Sequence, residues 1–340
     1  MALVLPEFDL ARFNTLASPA RARAYMSVAS REELVEALQF AREHSLPILP
    51  LGGGSNIVLR EDFPGLVVHI KMRGIELVHE TQEHLWVRAQ AGENWHEFVL
   101  YCLAMGWYGL ENLSLIPGSV GAAPIQNIGA YGVELDSVFA ELTALEVASR
   151  LAVTFDGDGC GFGYRDSVFK QRLKDQYIIC DVTFKLNKTA HLRIDYPALA
   201  ERLAAIPRDA LTAEQVSAAV CAIRREKLPD PETIPNAGSF FKNPVVPANH
   251  FEALRSRYPD IVGYPQADGK VKLAAAWLID RAGWKGVSEG NVAVHSQQAL
   301  VLTNPGRAYG EELLFLAERI RASVRQTYDV ELEIEPRIYP

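Results

Sequence analysis

Pro117-Gly118-Ser119-Val120-Gly121-Ala122-Ala123-Pro124-Ile125-Gln126-Asn127-Ile128-Gly129-Ala130-Tyr131-Gly132 is the stretch on which the reading of the whole chain turns. It holds four glycines, three alanines and two prolines, so its surface is thin and its backbone stiff. No lysine or arginine occurs between Asn112 and Ser149. A pyrophosphate held here would be met by main-chain N–H groups, with Ser119, Gln126 and Asn127 as side-chain donors. A long structural loop inside a core is the competing reading. Loops this long, uncharged and glycine-rich are uncommon without a function.

Upstream stands a second glycine segment, Gly52-Gly53-Gly54-Ser55-Asn56. Consecutive glycines permit positive φ and let N–H groups converge on an anion, and a tight surface turn is the alternative. The apolar runs Ile48 to Leu51 and Ile57 to Leu59 frame it, which predicts strand, glycine turn, strand. Before it, Ser30 and Glu33 have capping-box spacing, and Leu34, Val35, Leu38 and Ala41 recur at helical period over 30–44. Leu85, Val87, Ala89 and Ala91 alternate as a half-buried strand should. A helix then runs from Trp95 to Met105 and stops at Gly106.

Downstream, Val138 to Val147 and Gln176 to Leu186 read as strands. Strands do not alternate regularly with helices, so this half is α+β. Gly157, Gly159, Gly161 and Gly163 miss the spacing of a Rossmann fingerprint and read as a turn before Tyr164-Arg165-Asp166. Tyr196 to Leu211 is a candidate linker with two prolines. Thr212 and Gln215 repeat the capping box ahead of the stripe Val216, Val220, Ile223. Beyond Leu228 the pattern predicts helices near 248–258, 270–282 and 309–327, a strand pair around 291–303, and a closing alternation of Val330, Leu332 and Ile334 with Glu331, Glu333 and Glu335. Ser239, in Gly238-Ser239-Phe240-Phe241, is not a nucleophile elbow. It reads either as a proton donor or as a turn serine. The basic residues Arg224, Arg225, Lys227 and Lys242 flank that segment and suit either a diphosphate or a helix end. His295 reads as an ordinary half-buried histidine, and no metal spacing occurs among the eight histidines.

Composition bounds these readings. A chain of 340 residues exceeds one ordinary core, and 49% hydrophobic with 22% charged residues is globular. A net charge of −8 argues against general binding to nucleic acid or anionic membrane. The four scattered cysteines read as core thiols of a reducing compartment. Met1 to Asn14 lacks the basic start and apolar run of a signal peptide, and no stretch of about 20 apolar residues is present, so a cytoplasmic chain is expected. The absence of sustained heptads makes a monomer the expectation.

The segments together resemble the UDP-N-acetylenolpyruvoylglucosamine reductase family over nearly the whole length. The resemblance rests on Leu51 to Asn56, Gly109-Leu110-Glu111-Asn112 with Ile116-Pro117-Gly118, Pro124 to Gly132, Gly163-Tyr164-Arg165-Asp166-Ser167 and Lys227-Leu228-Pro229-Asp230-Pro231. Ala237 to Pro244, Tyr264 to Gly269 and Lys272-Leu273-Ala274-Ala275 complete it. It implies a two-part FAD-binding domain of the vanillyl-alcohol-oxidase (PCMH) type plus a C-terminal α+β substrate domain. The implied division is 1–70 with a returning C-terminal strand 328–340, then 71–210, then the substrate domain 211–327. No His or Cys stands beside the glycine turn, so FAD is expected to be non-covalent, with NADPH as co-substrate.

The resemblance also implies roles. Arg165, Ser239 and Glu335 are the catalytic residues, with Glu333 as the alternative glutamate because the proline here follows Glu335. FAD is met by Gly52, Gly53, Gly54, Ser55 and Asn56, by Pro117, Gly118, Ser119, Gly121, Ala122, Gln126, Asn127, Gly129, Ala130 and Gly132, and by Arg337. Substrate is met by Tyr131, Tyr196, Arg224, Lys227, Asn243, Tyr264 and Gln298. Two half-reactions then pass through one pocket, with NADPH as hydride source and an enolpyruvyl ether of UDP-N-acetylglucosamine as acceptor.

Overall fold

The computed structural model describes residues 3–340. The chain forms two compact units. The first comprises residues up to Phe8, Arg23–Gly53 and Pro64–Glu226; the second comprises Asp9–Ala22, Gly54–Phe63 and Lys227–Pro340.

The first unit is built on two sheets. One runs Leu5–Asp9, Arg21–Val28, Phe63–Ile70, Ile48–Leu51 in spatial order, with the last pair parallel. The helix Arg31–Glu43 packs its buried Leu34, Ala37, Leu38 and Ala41 into the core of this sheet. Its N-cap is formed: Ser30 Oγ accepts from Glu33 N at 3.2 Å, while the Glu33 carboxylate reaches one residue past the cap and accepts from Ala29 N at 2.6 Å. The other sheet is antiparallel throughout, in the order Ala152–Asp156, Phe139–Glu146, Tyr177–Asn187, His84–Gln90, Ile75–Glu80. Leu85, Val87 and Ala89 point into a core with Trp95, Phe98 and Phe184. That period-two burial is what the sequence pattern required. Trp95 can be fully buried because its indole N–H donates to Leu113 O at 2.8 Å.

The segment 196–211, expected as a linker, is packed structure. Pro197–Leu203 is a helix with proline in its first turn. Its Leu199 and Leu203 meet Val216, Val220 and Ile223 of the helix Ala213–Lys227, with Tyr131 against the same cluster. That second helix, expected to open the substrate domain, lies in the first unit through Glu226. The Thr212–Gln215 capping box forms as the spacing requires, at 2.9 and 3.3 Å.

The second unit packs the helix Gly310–Tyr328 and two small antiparallel sheets around Phe240, Phe241, Leu278 and Leu316. The strand pair Val292–Val294 and Val301–Thr303 forms as expected. Two expectations are corrected. Residues 270–273 form a strand, and the helix begins only at Ala275. Val271 and Leu273 are buried while Lys270 is exposed and Lys272 half-buried, a period-two signal at the head of a helical window. The closing alternation 330–335 is not a regular strand; it makes one bridge, Ile334 to Phe241, and the strand is Arg337–Tyr339, parallel to Ile57–Leu59.

Candidate functional site

In the first unit the two glycine-rich segments touch. A Cβ on Gly53 would lie 3.0 Å from Gly118 Cα, and one on Gly52 would collide with Ser119 Oγ. At Gly53 backbone meets backbone and glycine leaves the space, whereas at Gly52 the neighbour is a serine hydroxyl. The loop is held in place from behind. Trp95 N donates to Gly118 O at 3.1 Å, Val120 N to Glu93 O at 2.9 Å, and Gly121 N to Ala91 O at 2.9 Å. The N–H groups of Gly53, Gly118 and Ser119 donate to no backbone carbonyl among the described residues. Clustered N–H groups of this kind, in a stretch with no cationic side chain, are the donor set a pyrophosphate takes. The residues present therefore fit the diphosphate of a dinucleotide cofactor such as FAD.

The far end of the loop serves a different task. Asn127 is fully buried at φ 41°. Its amide donates to Gly163 O at 3.2 Å and Glu134 Oε2 at 3.3 Å, and accepts from Asp136 N at 3.0 Å. Expected among the donors to the cofactor, its side chain is instead committed to protein partners. Ser167 Oγ donates to Ile125 O at 2.7 Å. The loop is thereby stitched to the turn Gly163–Asp166, whose two backbone bonds are 3.1 and 3.2 Å long. Arg165 sits on that turn at φ 53°, half-buried, and its guanidinium donates to Gly129 O. A Cβ on Gly129 would stand 2.9 Å from Arg165 Nη1. Gly129 is thus the seat of Arg165. Gln126, Ala130 and Ala122 line the same loop, half-buried or exposed, with Pro117 and Gly132 exposed at its ends.

Tyr131, Tyr196 and Arg224 also come together in this unit. The tyrosine rings pack edge to face at 5.2 Å. Burial pushes the Tyr131 hydroxyl above its ordinary value, with Arg224 pulling the other way. Burial lowers the Arg224 guanidinium, and Arg165 adds to that. Among the described residues no carboxylate pairs with Arg224; its Nε donates to Leu115 O at 3.1 Å. A partly desolvated cation with another guanidinium nearby invites an anion.

The second unit carries the remaining residues. Gly54, at φ 64°, has its would-be Cβ on Phe13 O, so this glycine too is obligatory. Ser55 and Asn56 are half-buried, and Asn56 O accepts from Arg337 N at 2.9 Å, which leads the C-terminal strand in beside Ile57. Ser239 ends the strand Asn236–Ser239. A register irregularity and Gly238 at φ 71° turn the chain there, and fully buried Phe240 and Phe241 anchor the chain immediately after it. The Ser239 hydroxyl is half-buried and donates to no protein acceptor among the described residues. Glu335 N donates to Phe240 O at 3.0 Å, so Glu335 lies across from the residue next to Ser239. Glu335 is half-buried, whereas the Glu333 side chain is 67% exposed and paired with Lys242 at 2.5 Å. Asn243 Oδ1 accepts from Ala275 N at 2.9 Å and so caps a helix, leaving its N–H₂ for another partner. Tyr264 is exposed, Gln298 half-buried and Lys227 exposed.

Sequence reasoning missed two residues of this arrangement. Asn112, 1% exposed, donates to Tyr131 O at 2.9 Å and to Arg193 O at 2.8 Å, tying the glycine loop to the segment that leads to Tyr196. Leu115, at φ 58°, presents the carbonyl that holds Arg224. Neither has a periodic or compositional signal.

Comparison with known proteins agrees with this geometry. Residues 22–154 match the FAD binding domain model, and residues 230–339 match the model for the UDP-N-acetylenolpyruvoylglucosamine reductase C-terminal domain. The chain is 50% identical to the UDP-N-acetylenolpyruvoylglucosamine reductase of Pseudomonas aeruginosa over 100% of both chains, and 49% identical to that of Pseudomonas savastanoi over 97% of both. Among solved structures, the reductase of Thermus caldophilus aligns with a TM-score of 0.68 at 24% identity, covering 100% of this chain and 99% of its own, a likeness of fold. On the identity to full-length relatives, this chain belongs to the UDP-N-acetylenolpyruvoylglucosamine reductase family, a family of FAD-dependent oxidoreductases.

Proposed function

We propose that this enzyme reduces the enolpyruvyl ether of UDP-N-acetylglucosamine to UDP-N-acetylmuramate, a step of peptidoglycan precursor synthesis, with NADPH as reductant and one pocket serving both substrates in turn. The observation that carries the reading is the backbone-to-backbone approach of Gly53 and Gly118, which fits a non-covalent FAD held by main-chain N–H groups. The glycine segments 52–56 and 117–132 would hold FAD, which would supply the hydride-transfer chemistry that links the nicotinamide to the methylene carbon of the enol ether. The chain's own residues manage charge and protons. Arg165, seated on Gly129, places a permanent cation with a bidentate fork where an enolate oxygen develops. Ser239 gives its proton to the carbon left as a carbanion. Glu335 is assigned beside it in preference to Glu333, whose carboxylate is solvated and neutralised by Lys242. Glu335 assists only if protonated or hydrogen-bonded through a neighbour, since a bare carboxylate repels an enolate.

Arg165 belongs to the first unit, and Ser239 and Glu335 belong to the second. The functional division we propose is a flavin part, 1–70 with 328–340 and 71–210, and a substrate part, 211–327. Arg224 and Tyr131 receive an anionic group of the substrate, Tyr196 closes on it, and Lys227, Asn243, Tyr264 and Gln298 contact its remainder. We further propose a monomer acting in the cytoplasm, without nucleic-acid or membrane partners. Among the described residues no helix is long and apolar enough to cross a membrane, and all four cysteines are buried free thiols. Anaerobic mixing tests the reading. NADPH should bleach the flavin, and the enolpyruvyl substrate should restore its colour. Bleaching reversed by air and not by substrate would mean an oxidase, and no bleaching would mean a binding protein without turnover.

A further inference from the structure

Arg224 is held by one neutral acceptor, and that acceptor is itself held in an unusual conformation. Leu115 O receives Arg224 Nε at 3.1 Å while Leu115 stands at φ 58°, the left-handed region. A leucine there is strained, so its surroundings must fix it. They do so at its other end. Leu115 N donates to His96 Nδ1 at 3.0 Å, from the first turn of the helix Trp95–Ala104. That bond requires Nδ1 to carry no proton. Burial and the nearby Arg225 and Arg224 hold His96 below its ordinary pKa, with Glu97 opposing, so the neutral ring is the one present at neutral pH. His96 Nε2 lies 4.0 Å from Cys221 Sγ, one turn before Arg224 on the same helix. A second tie runs in parallel: Ser114 Oγ and Ser217 Oγ are 2.7 Å apart. The segment before the glycine loop and the helix bearing Arg224 are thus registered by polar contacts that no flavin or substrate role explains.

We propose that His96 is a positioning residue for Arg224: by accepting the Leu115 N–H it helps hold Leu115 in the left-handed conformation that aims the carbonyl of that residue at the guanidinium, and so the guanidinium at the substrate's anionic group. The inference rests on the reading of Arg224 as a substrate contact. Removing the acceptor frees the 114–116 peptide to leave its left-handed conformation, and Arg224 then loses its single aiming bond. A hydrogen bond to a charged group is worth about 1.5–3 kcal/mol, so substrate affinity should fall about tenfold or more.

The test is titration of the flavin-loaded enzyme with the enolpyruvyl substrate, read by perturbation of the flavin absorbance. Flavin content at the wild-type level is the control for folding. His96→Leu should weaken Kd about tenfold. His96→Asn, whose Oδ1 stands where Nδ1 was, should recover most of that. In an Arg224→Gln background, His96→Leu should add less than about twofold, because coupled residues are not additive. An unchanged Kd in His96→Leu, or costs that multiply in the double variant, overturns the proposal. If Arg224→Gln alone leaves Kd unchanged, the reading of Arg224 falls first. If it weakens binding and His96→Leu does not, only the role of His96 falls. The tautomer gives a check that needs no variant: nitrogen NMR of the wild-type enzyme should show His96 protonated at Nε2, and a proton on Nδ1 would exclude the Leu115 bond.

Discussion

Gly52→Ala is the perturbation whose consequence the structure fixes most closely. Gly52 has no left-handed backbone requirement, so an alanine is conformationally permitted, and only space opposes it. Its Cβ would collide with Ser119 Oγ, while Ser119 Cβ stands at an ordinary 3.4 Å. The cost is therefore that of overpacking by one methyl against one hydroxyl, about 1–3 kcal/mol. Ser119 is 8% exposed, so its hydroxyl has little room to turn away. The strain falls on the contact between the two glycine segments, and flavin affinity should drop by about ten- to a hundredfold. Titration of apoprotein with FAD, followed by quenching of flavin fluorescence, measures it. The discriminating variant is Gly52→Ala/Ser119→Ala. Removing the hydroxyl leaves only the 3.4 Å contact, so the double variant should bind FAD as tightly as Ser119→Ala alone. Wild-type affinity in Gly52→Ala, or a double variant no better than Gly52→Ala, would refute the assignment of this contact to the flavin site.

Arg165→Lys should keep flavin and its reduction by NADPH but slow reoxidation by substrate about 10²–10³-fold, the scale of losing one oxyanion donor, and a rate within about threefold of wild type in stopped flow would sink the role. Ser239→Ala should leave flavin reduction near normal and slow the substrate half-reaction by about 10²–10⁴-fold, with Ser239→Cys recovering part; equal slowing of both steps would make Ser239 structural. His69 should make stability pH-dependent: it is buried, its Nδ1 is 2.6 Å from the Tyr25 hydroxyl, and burial lowers its pKa from 6.5 to about 4. The neutral form belongs to the folded state, so this stability is present above pH 6.5 and is lost as pH falls towards 4, up to about 3 kcal/mol in all. Urea melts at pH 7.5 and 4.5 should show His69→Gln losing less stability than wild type over that interval, and an equal loss would remove His69 as the cause.

Much of the fold was legible because burial leaves a period. Leu85, Val87 and Ala89 alternate, Leu34, Leu38 and Ala41 recur at helical spacing, Ser30 caps its helix, and the Thr212–Gln215 capping box forms as spaced. Where legibility failed, two signals overlapped or a local one misled. Pro197 and Pro207 suggested a linker, yet Pro197 occupies the first turn of a helix, the one helical place where its missing N–H costs nothing. Val271 and Leu273 carry a strand inside a window that reads as helix overall. The division of the chain was least legible, since residues 9–22 and 54–63 join the second unit across long sequence separations that no local pattern encodes.

The glycines show why the site was legible in outline and not in its parts. Sequence alone offers one letter with one property, the missing Cβ, and therefore one reading for every glycine near the cofactor. The structure puts that property to separate uses. Gly53 lacks a Cβ so that a second backbone can approach. Gly54 lacks one because its φ of 64° and the Phe13 carbonyl both exclude it. Gly129 lacks one because the Glu134 side chain and the guanidinium of Arg165 occupy that volume, so a residue assigned to the flavin also seats the proposed catalytic cation. The difference lies in which neighbour fills the space, and that neighbour is distant in sequence. The same holds for Asn112, whose partners are the Tyr131 and Arg193 carbonyls, and for Leu115, whose partners are the His96 and Arg224 side chains, all brought near only by the packing of the first unit. Side-chain chemistry could be read residue by residue, whereas placement depends on the partner across the fold.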